Sequence, residues 1–255
     1  MENRIVEKRI VEDKDSKDRC GKAQEAAVGR TLVKICGLRR PQDAEAANRA
    51  GQDLAGFILT PGFGRSIRLE EAVILRKILL PRIRTVGVFV NAPLSEILAA
   101  ADSGCIDMIQ LHGNESEADI RQIAGLCGLP VIRAFRISDR EDLAAAASTA
   151  ADWVLLDSGA GTGQVFDWDL LEDFMRENRR PEDKSLFPGG HPWILAGGLS
   201  AGNAARAVCR FSPTAVDVSS NVETNGWKDP EKMRAFVEAV RGPEEAHESA
   251  GRANL

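Results

Sequence analysis

Short apolar and β-branched runs alternate along the chain with longer runs that mix Ala, Leu and charged residues. The apolar runs are TLVKIC (31–36), DLAGFIL (53–59), RTVGVFV (84–90), IDMIQLH (106–112), PVIRAF (130–135), DWVLLD (152–157), PWILAG (192–197) and TAVDVSS (214–220). Each has the length and composition of a buried strand. The intervening runs predict helices near 41–50, 69–80, 93–103, 115–127, 139–150, 167–178, 200–210 and 229–241. Their starts are marked by a Pro and an early Glu in NAPLSE, by Ser and Asp caps in ISDRED, and by a Ser cap in LSAGNA. Pro81 and Gly128 mark two of their ends.

Strands that alternate with helices imply a parallel sheet. Eight strand–helix units over residues 31–241 fit an α/β fold of the (β/α)8 TIM-barrel type. The competing reading is a doubly wound open sheet, which usually carries a Gly-rich turn after its first strand. Here that turn is CGLRRP, with one Gly, and no G-x-G-x-x-G or P-loop pattern occurs. The barrel is therefore favoured, and a nucleotide cofactor is not expected.

In a barrel the active site lies at the C-terminal ends of the strands. Strand 1 ends there in Cys36, and the loop after strand 2 carries Arg65. Strand 4 brings Gln110 and His112, and strand 6 ends in Asp157. Strand 7 runs into Gly197 and Gly198, and strand 8 into Asp217, Ser219 and Ser220. A strand Cys is most often a small buried hydrophobe, so Cys36 is marked out by its place at a strand end and by the weaker placing of Cys20 in the extension and of Cys127 and Cys209 in helices. Asp157 follows WVLL directly, which suggests a carboxyl at a partly desolvated mouth rather than a plain helix cap. His112 reads as a hydrogen-bonder more than a catalyst. The loops after strands 7 and 8 commonly form a phosphate site in this fold. Glycines let backbone N–H groups approach the phosphate, and serines add hydroxyls.

Composition narrows the partners. Of 255 residues, 44% are hydrophobic and 28% charged, with a net charge of −5. Neither nucleic acid nor an anionic membrane is expected as a partner. No apolar run is long enough to span a bilayer, and no secretory signal is evident. The five cysteines are widely spaced and form no C-x-x-C pair. That pattern fits a reduced, cytoplasmic protein without a zinc site. Residues 1–30 carry fifteen charges and read as a solvated, partly helical extension, and 242–255 as a solvated tail. The stretch 178–191, NRRPEDKSLFPGGH, reads as an enlarged surface connection.

The segments KICGL, GFILTPGFGRSI, GVFVN, IQLHGNES, LLDSGAGTGQVFDW, LAGGLSAGN and VDVSSNVETNGWKDPEKMRAFV fall in order along 31–241. Together they resemble phosphoribosylanthranilate isomerase, the barrel enzyme of tryptophan biosynthesis. The resemblance implies an Amadori rearrangement of N-(5-phosphoribosyl)anthranilate to 1-(o-carboxyphenylamino)-1-deoxyribulose 5-phosphate. In that comparison Cys36 matches the general base and Asp157 the general acid. Arg65 matches the arginine for the anthranilate carboxylate, although Phe63 and Gly64 depart from the usual residues before it. His112 and Asp217 fall among the substrate-binding positions. Gly197, Gly198, Ser219 and Ser220 match the phosphate loops, and Asn221 replaces a usual Gly. The resemblance implies no metal and no redox cofactor, and a monomer or a homodimer.

Two alternatives stand beside it: another phosphosugar isomerase on the same barrel, and a non-catalytic phosphate-binding barrel. The related histidine-pathway isomerase uses two carboxylates, so Cys36 argues against it. Retention of both the acid and the base argues against a mere binder. Lys34 lies two residues before Cys36, on the same side of the strand, and is expected either to bias Cys36 toward thiolate or to pair with Asp217.

Overall fold

The computed structural model describes residues 30–157, 167–180, 185 and 187–242. The strands are β1 (Leu32–Cys36), β2 (Leu54–Ile58), β3 (Arg84–Phe89), β4 (Met108–Leu111), β5 (Val131–Arg136), β6 (Trp153–Asp157), β7 (Trp193–Leu195) and β8 (Ala215–Val218). All pair in parallel with their neighbours in chain order, and β8 pairs back onto β1, which closes the barrel. The helices are α1 (Pro41–Ala50), α2 (Leu69–Ile78), α3 (Leu94–Asp102), α4 (Glu117–Cys127), α5 (Arg140–Ala147), α6 (Trp168–Asn178), α7 (Ala204–Phe211) and α8 (Pro230–Arg241). None of the described helices is long and apolar enough to cross a membrane.

Strand alternation sorts the core into two sets. One parity, including Val33, Ile35, Phe57, Val154 and Val216, faces the helices. The other, including Leu54, Val86, Met108, Ile132, Leu155 and Ile194, fills the barrel interior. The inward parity continues upward through Lys34 and Cys36 on β1, Gln110 and His112 at β4, Asp157 on β6, and Asp217 on β8. The polar mouth therefore stands directly on an apolar plug.

The bottom of the barrel repeats every two strands. Asp53, just before β2, accepts from Val33 N on β1 at 2.8 Å. Asp107, before β4, accepts from Thr85 N on β3 at 2.7 Å. Asp152, before β6, accepts from Val131 N on β5 at 2.8 Å. Thr214, before β8, accepts through Oγ1 from Trp193 N on β7 at 3.2 Å. Each side chain satisfies an amide that starts a strand. Asp53 also holds Arg30 at 2.8 Å and the buried Arg241, so both ends of the barrel domain are tied to one carboxylate.

Several expectations shift. Apart from Arg30, the 1–30 extension lies outside the described residues, as does the tail beyond Gly242. Pro93 caps α3 rather than opening its first turn. The Ser200 cap is displaced: α7 begins at Ala204 after a turn through Gly202, and Asn203 Oδ1 accepts from Ser200 N at 2.8 Å. The connection before β7 is not wholly a surface loop. Phe187 is completely buried and packs 5.7 Å from the Trp193 ring and 6.4 Å from Phe174. Strand 8 stops at Val218, and Ser220–Val222 turns as a 3₁₀ helix. A hairpin then forms from β9 (Glu223–Thr224) and β10 (Trp227–Lys228), which the sequence reading omitted. Its signal was present, because Asn225–Gly226 is the dipeptide that a two-residue hairpin turn favours.

Candidate active site

Cys36 is the last residue of β1 and is buried. Its neighbour across the sheet is Gly56. A Cβ on Gly56 would stand 2.7 Å from Cys36 Sγ and 3.0 Å from Cys36 Cα, so the thiol occupies space that only glycine leaves open. Gly37 follows with φ +84°, a left-handed turn that an L side chain resists. Ser219 Oγ donates to Cys36 O at 3.1 Å and fixes the strand end from the other side of the closure.

Opposite, Asp157 ends β6, and the segment 158–166 that follows lies outside the described residues. Its Oδ2 is 3.4 Å from His112 Nε2. Gln110 Nε2 lies 3.3 Å from His112 Nδ1. Between the two sides, Asp217 pairs with Lys34, Nζ to Oδ2 at 2.9 Å. The electrostatic influence of Asp217 extends to Cys36, and that of Asp157 and His112 to Asp217. Thiol and carboxyl therefore share one mouth.

Burial sets the direction at Cys36 and Asp217. It pushes the Cys36 thiol above its ordinary range and Asp217's carboxylate adds to the rise, while the ammonium groups of Lys34 and Lys228 pull the other way without prevailing. The expected bias toward thiolate is thus present as an opposing pull but is outweighed, because desolvation penalises the anion. Burial also raises the Asp217 carboxyl against the pull of Lys34. For Lys34, burial lowers the ammonium's pKa, yet Asp217 and Cys36 outweigh it and the group stays firmly charged. Both expected roles of Lys34 are realised in part: it pairs with Asp217 and also lowers the cost of a thiolate at Cys36.

Arg65 sits in the loop after β2, which folds back so that Ile67 N reaches Ile58 O at 2.9 Å. Its guanidinium grips Glu223 with both prongs, Nε to Oε1 at 2.7 Å and Nη2 to Oε2 at 2.9 Å. Glu223 also accepts from Lys228 Nζ at 2.8 Å, and the same ammonium donates to Ser219 O at 2.9 Å. Lys228 is buried on β10, and burial lowers its pKa despite Glu223. Glu223 and Lys228, which the sequence reading did not single out, join the candidate site through Arg65 and Ser219. Beside them two guanidinium groups lie over the Trp227 ring, Arg39 at 4.2 Å and Arg40 at 4.1 Å from its centroid. A cavity of about 350 Å³ opens here, lined by Arg39, Gly64, Arg65, Glu223 and the hairpin tip. A larger cleft of about 410 Å³ lies outside the barrel between α2 and α3 and contains none of these groups.

Gly197 and Gly198 follow β7 with φ of 78° and 65°. Ser219 and Ser220 follow β8, so the two loops lie side by side at the mouth. Asn221 joins them by donating from Nδ2 to Leu199 O at 2.8 Å. It stands in the 3₁₀ turn rather than in left-handed backbone, so its tolerance of that conformation is not called upon. The Ser219 hydroxyl is already committed to Cys36 O, which makes it a support for the thiol's strand end more than a free donor.

A family model described as N-(5'phosphoribosyl)anthranilate (PRA) isomerase matches residues 33–239. The N-(5'-phosphoribosyl)anthranilate isomerase of Lacticaseibacillus casei is 43% identical over 210 residues, covering 82% of this chain and 94% of the relative. The crystal structure of the Thermotoga maritima phosphoribosyl anthranilate isomerase superposes with a TM-score of 0.72 at 33% identity, covering 83% of this chain and 99% of that one. A phosphoribosyl anthranilate isomerase in complex with reduced 1-(o-carboxyphenylamino)-1-deoxyribulose 5-phosphate superposes with a TM-score of 0.70 at 32% identity, covering 83% and 99%.

Proposed function

The chain belongs to the N-(5'-phosphoribosyl)anthranilate isomerase family of tryptophan biosynthesis, and from that premise we propose that Asp157 and Cys36 are the acid and base of its reaction. The substrate is an aminoaldose phosphate in its furanose form. Asp157 gives a proton to the ring oxygen, the bond from that oxygen to C1′ breaks, and the anilino nitrogen is left as an iminium. The iminium acidifies the proton on C2′. Cys36, as thiolate, removes it, and the resulting enolamine tautomerises to the aminoketose. The substrate's own nitrogen serves as the electron sink.

One observation carries this reading: a carboxyl and a thiol end two strands of one closed barrel with the same inward parity, and Asp217 feels both. An acid–base pair needs its two members in environments that separate their protonation states. The ammonium groups of Lys34 and Lys228 favour the Cys36 thiolate against the effect of burial, whereas Asp157 lies beside an imidazole.

Arg65 takes the anthranilate carboxylate, a use suited to a guanidinium fork. Gly197, Gly198, Ser219 and Ser220 hold the phosphate, chiefly through backbone N–H groups. His112 and Asp217 contact the sugar portion. The protein works on a small, free metabolite in the cytoplasm, as a monomer or a homodimer, and no nucleic acid or membrane takes part.

The test is turnover of freshly made substrate, followed by loss of anthranilate fluorescence. Cys36→Ser and Asp157→Asn should each lower kcat by about 10²–10⁴-fold while the fold is kept. Wild-type turnover in either variant would remove that residue from its role.

A further inference from the structure

Gln110 stands on β4 one inward position below His112, and its side chain is 1% exposed. Its Nε2 lies 3.3 Å from His112 Nδ1, and His112 Nε2 lies 3.4 Å from Asp157 Oδ2. Its other end, Oε1, is buried without a hydrogen-bond partner. A buried amide that leaves its acceptor unpaired while its donor is engaged calls for a reason, because such orphans are rare in native interiors.

Direction supplies the reason. An amide nitrogen can only donate, so Nδ1 of His112 must present its lone pair. In a neutral imidazole the single proton is then on Nε2, and that N–H points at the Asp157 carboxyl. With the amide turned over, Oε1 would accept from Nδ1–H. A bare Nε2 would then face the oxygens of Asp157, two acceptors opposed once the carboxyl has lost its proton.

We propose that Gln110 is a positioning residue that holds His112 in its Nε2–H tautomer, with that N–H aimed at Asp157. This rests on the reading of Asp157 as the acid. When Asp157 has given its proton to the ring oxygen, it is left as a carboxylate beside a neutral N–H donor already in place. A donor set before the charge appears stabilises that charge without reorganisation. His112 itself transfers no proton, and Gln110 acts on the reaction only through it.

Nitrogen-15 NMR of the full chain decides the question, with the His112 signals assigned by their loss in His112→Asn. The expected wild-type pattern is a bare Nδ1 and a protonated Nε2. Gln110→Met keeps length and removes the donor. It should give mixed tautomers and lower kcat about tenfold, the rate equivalent of one hydrogen bond, with KM changed less than about twofold. Gln110→Glu offers only acceptors, so it should move the proton to Nδ1 and lower kcat further. A wild-type spectrum with Nδ1 protonated overturns the proposal even if neither variant folds, and so does wild-type kcat in Gln110→Met. Wild-type turnover in Asp157→Asn would instead remove the acid role and leave the tautomer result standing.

Discussion

Lys34 Nζ lies 2.9 Å from Asp217 Oδ2, and the two residues are direct partners where β1 meets β8 and the barrel closes. The Lys34 side chain is wholly inaccessible and that of Asp217 is 11% exposed. Only one carboxylate oxygen is used, and Oδ1 has no hydrogen-bond partner. Such a pair is a weak source of net stability, but removal of one member strands a charge.

Lys34→Met should therefore destabilise the protein by about 3–5 kcal/mol in urea denaturation. The same variant should raise the pKa of Cys36 further, since the Lys34 ammonium opposes the effect of burial. Alkylation rate of Cys36 against pH measures this directly, and an unmoved profile would separate Lys34 from the thiol. Lys34→Met combined with Asp217→Leu should recover much of the lost stability, as neither charge is then left alone.

The raised thiol has a signed consequence for stability. In the native state Cys36 holds its proton above the ordinary value of 9.0, whereas in the unfolded chain it releases it there. The native state then binds more protons, so stability falls as pH rises beyond about 9, by up to about 1.4 kcal/mol per unit. The loss continues until the native thiol ionises. Cys36→Ser should flatten this part of the stability curve, and the difference between the two proteins isolates the Cys36 contribution.

Gly56→Ala tests the space beside the thiol. The added methyl would meet Cys36 Sγ at 2.7 Å and the Cys36 backbone at 3.0 Å, and the backbone cannot yield as a side chain tip does. Overpacking of this kind costs about 1–3 kcal/mol. The thiol is also displaced, so kcat should drop by about 10²-fold in material that remains folded by circular dichroism. Unchanged kcat would mean that the observed thiol position is not the working one.

Glu223→Gln addresses the grip on Arg65. Burial works to raise the Glu223 carboxyl, yet hydrogen bonds from Arg65 and Lys228 hold it below the usual range, so it is a carboxylate at neutral pH. The amide offers one acceptor where the carboxylate offers two, and Arg65 loses its bidentate partner. KM should rise about tenfold, with kcat changed less. An equal loss in kcat alone would place Glu223 in the chemistry rather than in binding.

The sequence by itself determined the barrel, its eight strands and the inward parity of its mouth. Periodicity is local, and a side chain's face follows from its position in a strand. The places of Cys36 and Asp157 at strand ends were legible because each is the last residue of an apolar run, and Asp139 was legible as a cap because its partners, Glu141 N and Asp142 N, are two and three residues away. What only the tertiary structure decided involves partners far apart in the chain. Arg65 meets Glu223 across 158 residues, a partner that nothing local names; Asp217 was one of two expected partners of Lys34, and the contact across 183 residues chose between them. Phe187 sits in a polar, Gly-rich stretch that looks like surface, and its burial depends on Trp193 and Phe174, which no local pattern connects to it. The charge state of Cys36 was hidden for the same reason: a nearby lysine is visible in the sequence, but the desolvation that outweighs it exists only once the barrel has closed.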